Sequence, residues 1–391
     1  MKIAWSNWSG SQQHEAARVE FPSSEEELAH LLAKANNEGR CVRAVGTSHS
    51  FVPFWTDDFI VSLDRMKGLV DHDANKEQAT FWAGSKLHEL GEPLWERGLS
   101  MQNMGDIDRQ SIAGAISTGT HGTGRTLRNI SSQAIRLRLA CADGTVREID
   151  ADSDEELLRA AQVSMGTLGI ITQVTLQAMP AYYLHERNWT ANVDECEAQL
   201  EDLIAGNRHF EFFWDPHSDS CAMKTLNFTD REESSKPAEG EEIGPSYRII
   251  PSTREQKFNE IEFSVPAEAG WECYLAVRRL MQEKFPKVRW PLEYRTLKAD
   301  DMLISSASER DSVTISAHQG VDYPWQEFFL AVENIFRHYD GRPHWGKVHT
   351  HKADELRRLY PHFDRFCEIR RHLDPEGRFL NPFLRGVFGI H

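Results

Sequence analysis

The most informative segment of the sequence is Val42-Arg43-Ala44-Val45-Gly46-Thr47-Ser48-His49-Ser50-Phe51. An apolar run ends here in small and hydroxylated residues, which predicts a buried strand that leaves its sheet at Gly46. Gly46 can adopt backbone angles closed to other residues and lets a ligand approach the main chain. The hydroxyl and amide groups that follow suit an anion such as a pyrophosphate. His49 then either meets that ligand or is a surface histidine on a turn.

A second stretch, residues 103–124, favours the ligand. It is dense in Gly, Ser and Thr but keeps apolar residues such as Ile112 and Ala113, which a low-complexity linker lacks. It has neither the Gly-Lys-Ser/Thr of a Walker loop nor the glycine spacing of a Rossmann fingerprint. The stretch therefore predicts a long loop that wraps a phosphate-bearing cofactor with backbone amides.

A third piece, Gly166-Thr167-Leu168-Gly169-Ile170-Ile171-Thr172-Gln173-Val174, is a glycine turn that feeds a strand. With these three pieces, the chain resembles the flavoproteins of the vanillyl-alcohol oxidase fold from about residue 21 to residue 388. Within that fold it is similar to the aldonolactone oxidoreductases, which include gulonolactone, galactonolactone and arabinonolactone oxidases. Alditol oxidases are close relatives of that branch.

The resemblance implies FAD as the cofactor. In that family the histidine of a Gly-x-x-His-Ser turn is bonded covalently to the flavin, and His49 matches it. The stretch 105–124 matches the family's pyrophosphate loop. The residues assigned to the cofactor are Gly46, Thr47, Ser48, His49, Ser50, Gly105, Asp106, Ser111, Gly114, Ser117, Thr118, Gly119, Thr120, His121, Gly122, Gly169, Ile171 and Asn381.

The expected fold class is α+β. Residues 1–178, to which 375–391 return, are expected to form a two-subdomain FAD-binding domain of the vanillyl-alcohol oxidase type. Residues 179–374 are expected to form an α+β cap domain that covers the substrate, because the sequence changes character after Pro180.

Local patterns predict individual elements. Ser24 followed by three acidic residues predicts the start of a helix, and Gly39 predicts its end. Asp143-Gly144 predicts a hairpin between two strands. Residues 302–318 are expected to supply strand, and residues 229–246, which are charged and rich in Gly and Pro, a flexible loop.

The composition limits the classes of partner and site. The chain has 391 residues, of which 40% are hydrophobic, and a formal net charge of -16. An acidic chain of this kind is a poor candidate for binding nucleic acid or an anionic membrane. The six cysteines are scattered without a C-x-x-C pair, so neither a zinc site nor a disulfide framework is indicated. The first residues lack the apolar core of a signal peptide, and no stretch is apolar enough to span a membrane, so we expect the cytoplasm.

Two motifs in the second half carry candidate chemistry. In Pro291-Leu292-Glu293-Tyr294-Arg295-Thr296, a strand would place Glu293 and Arg295 on one face. By itself this pattern is also that of an ordinary surface ion pair. The family's Glu-x-Arg pair falls here and lines its substrate pocket. Glu293 can accept hydrogen bonds from sugar hydroxyls, and Arg295 can donate to a lactone or hydroxyl oxygen and supply positive charge beside the reduced flavin.

The second motif is Arg342-Pro343-His344-Trp345-Gly346-Lys347-Val348-His349. It has the pattern of a turn with a solvated lysine, but it resembles the family's His-Trp-Gly/Ala-Lys signature, which reaches the flavin ring. Lys347 is then a fixed cation near the flavin or the substrate hydroxyl. His344 is a structural support or the general base. His349 follows the lactone-oxidase pattern Lys-x-His and favours a sugar lactone over an alditol as substrate.

Three further positions complete the candidate site. His318 ends a predicted strand and is expected to face the pocket. Asp106 departs from the family, which usually carries Ser or Ala there, so its carboxylate can contact substrate hydroxyls. Gly105 is expected to face the flavin where a side chain would obstruct oxygen. The sequence shows no histidine spacing or carboxylate set that marks a metal site.

Taken together, the sequence predicts an FAD-dependent oxidase of a sugar 1,4-lactone, with oxygen as acceptor and hydrogen peroxide as product. An alditol oxidase acting on xylitol or sorbitol, and a lactone dehydrogenase that uses another acceptor, are the alternatives among enzymes. A flavin carrier without turnover is a different class. The joint presence of Glu293, Arg295 and Lys347 argues against it, because storage of a flavin requires none of them.

Overall fold

A computed structural model describes residues 3–231, 238–252 and 256–390. It confirms the α+β class, since helices accompany mainly antiparallel sheets. Within those ranges, no helix combines the length and the apolar character needed to span a bilayer. The elements up to residue 180 are β1 (Ile3–Ser6), β2 (Gln13–Ala16), β3 (Arg18–Glu20), α1 (Glu25–Asn37), β4 (Val42–Val45), β5 (Phe59–Ser62), β6 (Leu69–Asp73), β7 (Gln78–Trp82), α2 (Leu87–Trp95), β8 (Leu99–Ser100), α3 (Ile112–Ser117), β9 (Ala134–Ala140), β10 (Val146–Asp150), α4 (Ala151–Gln162), β11 (Ile170–Gln177) and β12 (Met179–Pro180).

Two small sheets organise this part of the chain. Strands β3, β5 and β4 form a parallel sheet in that order, and α1 connects β3 to β4. The Ser24 hydroxyl accepts a hydrogen bond from the Glu27 amide at 3.1 Å and so caps α1, as the sequence predicts. A five-stranded antiparallel sheet has the order β10-β9-β11-β7-β6, and β9 and β10 are joined by the predicted turn at Asp143-Gly144.

The buried side chain of Arg43 anchors β4, which leads into the loop 46–50. Its guanidinium donates hydrogen bonds to the carbonyl oxygens of Phe54, Met165, Gly166 and Phe379 at 2.7–3.2 Å. These carbonyls belong to three segments that are remote in sequence. Arg43 therefore links the loop after β4, the turn before β11 and the C-terminal segment.

The remaining elements form a larger sheet and the C-terminal helices. They are β13 (Tyr183–Asn192), α5 (Val193–Gly206), β14 (His209–Asp215), β15 (Ser220–Thr229), β16 (Glu241–Pro245), α6 (Ser246–Ile249), β17 (Phe258–Pro266), α7 (Gly270–Lys284), β18 (Leu292–Leu297), β19 (Ser312–Gly320), α8 (Gln326–His338), β20 (Arg342–Pro343), α9 (Ala353–Leu359), α10 (Phe363–Leu373) and α11 (Pro382–Phe388). The eight strands are ordered β16-β13-β15-β14-β18-β19-β17-β20 and pair antiparallel.

The two faces of this sheet differ in character. On one face, apolar residues such as Phe212, Phe263 and Tyr294 pack against α5, α7 and α8 and form a hydrophobic core. Residues one position away along the same strands, such as Glu262 and Arg295, lie on the opposite face because successive side chains alternate. That opposite face is also buried, so it must satisfy its charges internally.

A second hydrophobic core lies on the other side and bears on the predicted domain boundaries. It is built from the N-terminal half and also contains Trp345 and residues of α9, α10 and α11. The division at residues 178 and 179 stays a prediction. We propose that the returning segment starts near Trp345 rather than at 375, because the side chains after Trp345 pack mainly into this core.

Three local predictions require correction. The stretch 103–124 is not loop throughout, since it contains α3 with Ser111 as N-cap. Residues 302–308 form turns, and the strand begins only at Ser312. The Ser305 hydroxyl donates a hydrogen bond to the Asp300 carboxylate at 2.6 Å, which folds this segment back on itself. In the predicted flexible loop, Glu241–Pro245 is a strand paired with β13. Residues 232–237 of that loop lie outside the described ranges.

Candidate active site

A cleft of about 1020 Å³ of empty space opens where β4 ends. We call it the loop cleft, because the loop 46–50 and helix α3 form much of its wall. The close contact of these two segments explains one glycine, since a Cβ atom on Gly46 would lie 2.2 Å from Ser111 Oγ. The predicted cofactor residues that line the loop cleft are Gly46, Thr47, Ser48, His49, Ser50, Ser111, Gly114, Ser117, Thr118, Gly169 and Ile171. Backbone amides and hydroxyl groups therefore converge there, as a pyrophosphate requires.

His49 lies half-buried in the wall of the loop cleft. Its Nδ1 is 2.9 Å from the Thr47 hydroxyl. Burial, with a smaller contribution from the positive charge of Lys347, lowers the pKa of His49 to about 4. The imidazole is therefore neutral at physiological pH and retains the lone pair that a nucleophile needs.

A second cavity, with about 1660 Å³ of empty space, lies under the polar face of the eight-stranded sheet. We call it the sheet cavity. Gln110 lines both this cavity and the loop cleft, so the two are neighbours. The predicted site residues in the sheet cavity are Gly105, Asp106, Thr120, His121, Glu293, Arg295, His318, His344 and Lys347.

Strand register explains how the charged groups meet. Arg295 on β18 stands opposite Glu211 on β14, and Glu293 stands opposite Phe213. Arg295 contacts the Glu293 carboxylate, its Nε lies 2.9 Å from Glu211, and an outer nitrogen lies 3.9 Å from Asp106. The Glu-x-Arg pair is therefore buried and shared with two more acids, unlike a surface ion pair.

The acids around Arg295 differ in their protonation. Burial, together with the negative charges of Glu211, Asp106 and Glu260, raises the pKa of Glu293 to about 8 despite the nearby guanidinium. We assign the proton to Glu293 because the single guanidinium of Arg295 faces three carboxylates, those of Glu293, Glu211 and Asp106, and cannot compensate all of them. The site then presents a neutral carboxylic acid beside a permanent cation.

Lys347 reaches the sheet cavity from a turn that follows β20. Its amide donates to the His344 carbonyl at 3.0 Å, and its ammonium group contacts the Glu260 carboxylate. The other oxygen of Glu260 lies 3.7 Å from His318 Nε2. Lys347 is thus a fixed cation with a buried counter-ion rather than a solvated surface lysine.

One ring nitrogen of His344 is already engaged in a hydrogen bond. Its Nδ1 accepts a hydrogen bond from the Gly346 amide at 3.1 Å, so this nitrogen carries no proton. Burial lowers the pKa of His344 to about 4, so the neutral ring carries its proton on Nε2. His344 can therefore donate a hydrogen bond through Nε2, but that nitrogen has no lone pair to accept a proton.

His121 and Glu262 form a second buried pair in the sheet cavity. His121 Nε2 lies 2.6 Å from Glu262, and its Nδ1 lies 2.8 Å from the Gly122 carbonyl. Burial opposes ionisation of Glu262, but its interactions with His121, His344 and Lys347 hold the pKa of Glu262 well below its usual range.

Comparison with known proteins agrees with this geometry. The profile of the D-arabinono-1,4-lactone oxidase family matches residues 174–241 and 238–387, and an FAD-binding domain profile matches residues 16–150. The chain is 35% identical, over 430 aligned positions that cover all of both chains, to the L-gulono-1,4-lactone dehydrogenase of Mycobacterium tuberculosis.

The chain belongs to the aldonolactone oxidase family. The L-gulonolactone oxidase of Mus musculus is 29% identical over 99% of this chain and 98% of its own. The fold matches that of cholesterol oxidase from B. sterolicum with a TM-score of 0.86 over 99% of this chain and 97% of that chain, at 16% identity. The chain is therefore an FAD-linked oxidoreductase, and the loop cleft fits the FAD that its FAD-binding domain implies.

The structure separates two groups of residues that the sequence assigned together to this family's cofactor. Gly105, Asp106, Thr120 and His121 line the sheet cavity and not the loop cleft. The reason is that α3, between them, turns the chain and places its Ser111 end in the cleft. Gly119 and Gly122 line neither cavity. A Cβ on Gly122 would lie 2.2 Å from the Met104 carbonyl, so this glycine permits a close chain approach.

Two more predicted site residues lie outside both cavities. His349 is buried between the Trp345 and Phe383 rings, at centroid distances of 5.8 and 5.4 Å, because the chain after Lys347 enters the core. It has no hydrogen-bond partner among the described residues, and burial lowers its pKa to about 3. Asn381 caps α11 and donates to the carbonyls of Pro53 and Trp55. It therefore supports the loop after His49 rather than lining the cleft.

Sequence reasoning missed three acids, Glu211, Glu260 and Glu262. All three are buried on the polar face of the large sheet. A signal was present for two of them, since Glu211 lies between Phe210 and Phe212 and Glu262 lies between Ile261 and Phe263. An acid at such a position predicts a buried face with a charged partner.

Two sets of three residues have the spacing of a metal site, although the sequence predicted none. They are His121, Glu262 and His344, and Glu260, Glu293 and His318, with ligand atoms within 4.8 Å of one another in each set. In both sets, an acid oxygen already contacts a protein side chain, that of His121 in one and that of Lys347 in the other. The absence of a metal therefore stays a prediction.

Proposed function

We propose that the chain oxidises a sugar 1,4-lactone, such as L-gulono-, L-galactono- or D-arabinono-1,4-lactone, with FAD linked to His49 and oxygen as acceptor. The observation that carries this proposal is the meeting of Glu293, Arg295 and Lys347 in a cavity that shares a wall with the cleft of His49. When bound, FAD supplies the acceptor for a hydride from the substrate's C2 carbon.

Arg295 and Glu293 are suited to bind a neutral, polyhydroxylated ring. The guanidinium donates to the lactone or hydroxyl oxygens, and Glu211 holds it in place from the neighbouring strand. Glu293, protonated at neutral pH, both donates and accepts a hydrogen bond. The pair thus orients the substrate without an unpaired negative charge beside it.

Proton removal from the substrate hydroxyl requires a group with a free lone pair. His344 is unsuitable, because its Nδ1 accepts from Gly346 and its Nε2 carries the proton. We propose Glu260 as the acceptor, because its carboxylate lines the sheet cavity and is held by Lys347. His344 then donates a hydrogen bond to substrate. A Glu260→Gln variant should lose kcat across the pH range, whereas His344→Gln should mainly raise KM.

The substrate is tested by steady-state kinetics over a panel of aldonolactones, xylitol and sorbitol, with peroxide measured at fixed oxygen concentration. The proposal expects the largest kcat/KM for a lactone, with one peroxide formed for each lactone oxidised. A larger kcat/KM for xylitol or sorbitol would identify an alditol oxidase instead. If no substrate bleaches the flavin without oxygen, the chain is a flavin carrier.

A lactone dehydrogenase is the second candidate, and one observation favours it. The relative that is 35% identical is named a dehydrogenase, whereas the oxidase from Mus musculus is 29% identical. The panel separates the two if each lactone is assayed with oxygen and with an artificial dye. Turnover with the dye but without peroxide would make this chain a dehydrogenase.

We propose the cytoplasm as its location. All six cysteines are free thiols, as is usual in a reducing compartment. Fractionation of cells that express the native chain is the direct test. Recovery of the activity outside the cytoplasmic fraction would refute it.

A further inference from the structure

The N-terminal hairpin of β1 and β2 lies against the loop that carries His49. At its turn, the Trp8 amide donates to the Ser48 carbonyl at 2.7 Å. The Asn7 side chain donates to the Ser50 carbonyl at 3.0 Å. The hairpin therefore binds the backbone on both sides of His49.

The indole of Trp8 covers one face of the His49 ring. The two rings are stacked, with centroids 5.5 Å apart and planes inclined by 15°. Trp8 also forms T-shaped ring contacts with Phe258 and Phe51, with ring centroids 5.2 and 6.5 Å away. Trp8 is thus wedged between the loop and strand β17 of the large sheet.

A further contact fixes the hairpin from the side of the sheet. The Ser9 hydroxyl, which is buried, donates to the Asn259 side chain on β17 at 3.0 Å. Trp5 of the same hairpin lines the loop cleft. The hairpin therefore connects the large sheet with the wall of the loop cleft, and Trp8 lies at the junction.

His49 is held from two directions. The Thr47 hydroxyl lies 2.9 Å from Nδ1 at the edge of the ring, and the stacked Trp8 ring restricts the tilt of the imidazole plane. A nitrogen lone pair lies in the plane of the imidazole ring, so fixing the plane fixes the direction of attack. Orientation of this kind is worth orders of magnitude in rate.

We propose that Trp8 is a positioning residue for covalent attachment of the flavin, which it promotes by holding the plane of His49. This inference rests on the proposed link at His49. In that link, a ring nitrogen bonds to the carbon of the flavin's 8-methyl group, and the N–H and one methyl C–H bond break. The flavin ring takes up the two electrons and two protons, and the enzyme's usual acceptor, oxygen or a dye, reoxidises it.

The experiment follows attachment in time. Apoprotein is mixed with FAD, and flavin fluorescence that stays with the acid-denatured chain on a gel is compared with FAD bound before denaturation. Trp8→Phe, which keeps a flat ring, should attach flavin at nearly the wild-type rate. Trp8→Leu, which keeps apolar bulk without a flat ring, should attach it about tenfold more slowly or worse, with reversible FAD binding retained.

Two controls define the outcomes. Trp95→Ala removes a half-buried indole that packs on Tyr183 and Tyr247, and it should leave attachment unchanged. Equal attachment rates in Trp8→Leu and wild type would overturn the role of Trp8, as would parallel loss of reversible binding and attachment in Trp8→Leu and Trp8→Phe. Wild-type protein that releases all its flavin in acid would instead refute the link at His49, and with it this inference.

Discussion

The loop cleft and the sheet cavity are neighbours, but they are built in different ways. The loop cleft is made of backbone amides, hydroxyl groups and closely approaching chains, and most of its residues come from a few short stretches. The sheet cavity is lined by ionisable side chains from β17, β18 and β19, which are up to about sixty residues apart. The loop cleft therefore depends mainly on local sequence, whereas the sheet cavity depends on the register in which distant strands pair.

This difference predicts that substitutions in the two sites impair different properties of the enzyme. A change in the loop cleft should reduce FAD loading, because the cleft depends on space for a ligand. A change in the sheet cavity should leave FAD in place and reduce turnover, because its charges act on the substrate. The following variants test that separation.

The largest expected effect is in the sheet cavity. Arg295→Lys should lower kcat/KM by about 10²-fold or more, because an ammonium group cannot reproduce the guanidinium contacts with Glu211 and Glu293. Glu293→Ala should have an effect of the same order, because it removes the carboxyl group that binds the substrate. FAD content, measured from the absorbance spectrum, should remain that of wild type. Arg279→Lys on the exposed surface is the matched control. Near wild-type kcat/KM in both site variants would remove the pair from the site.

In the loop cleft, Gly46→Ala should lower the affinity for FAD by about tenfold, since overpacking costs about 1–3 kcal/mol. The added Cβ would lie 2.2 Å from Ser111 Oγ. Adding Ser111→Gly should restore part of the binding. Gly206→Ala is the control, because a Cβ there meets nothing within 4 Å. Full FAD loading combined with slow turnover in Gly46→Ala would contradict the separation.

Gly105 lines the sheet cavity, and its substitution should have a smaller effect. A Cβ there would lie 3.2 Å from Thr120 Cγ2 and 3.4 Å from the His121 carbonyl, a tight fit. If Gly105 leaves a path for oxygen, Gly105→Ala should slow flavin reoxidation severalfold and leave anaerobic reduction by substrate unchanged. Stopped-flow measurement of both half-reactions decides. Equal loss in both would mean that the methyl group only disturbs packing.

The smallest effect is a pH dependence of stability. The pKa of Glu293 is about 8 in the folded protein and near 4.5 in the unfolded chain. The folded state therefore holds more protons in this range, and wild-type stability falls as pH rises from 4.5 to 8. Glu293→Gln lacks this loss, so thermal melts should show the stability of this variant rising relative to wild type as the pH increases across the window. A constant difference between the two would show that Glu293 is ionised throughout.

Much of the fold and part of the site followed from sequence. The capped helix after Ser24, the strand before Gly46 and the hairpin at Asp143-Gly144 are signalled within about a dozen residues, and each is confirmed. The motif around Lys347 was recognisable for the same reason. His349, two residues later, was misplaced, because whether a side chain faces a cavity or a core depends on what packs against it.

The placement of the glycines, the hydroxyl groups and His49 in the loop cleft could therefore be predicted from sequence, because the geometry of a tight loop is set by its own residues. The contacts of Arg295 with Glu211, of Glu260 with Lys347 and of Trp8 with His49 depend instead on how the folded chain packs. These partners are separated by about 40 to 90 residues along the chain, and strand pairing and hairpin docking bring them together. No local pattern encodes such distances, since contacts of this kind depend on the register of whole strands.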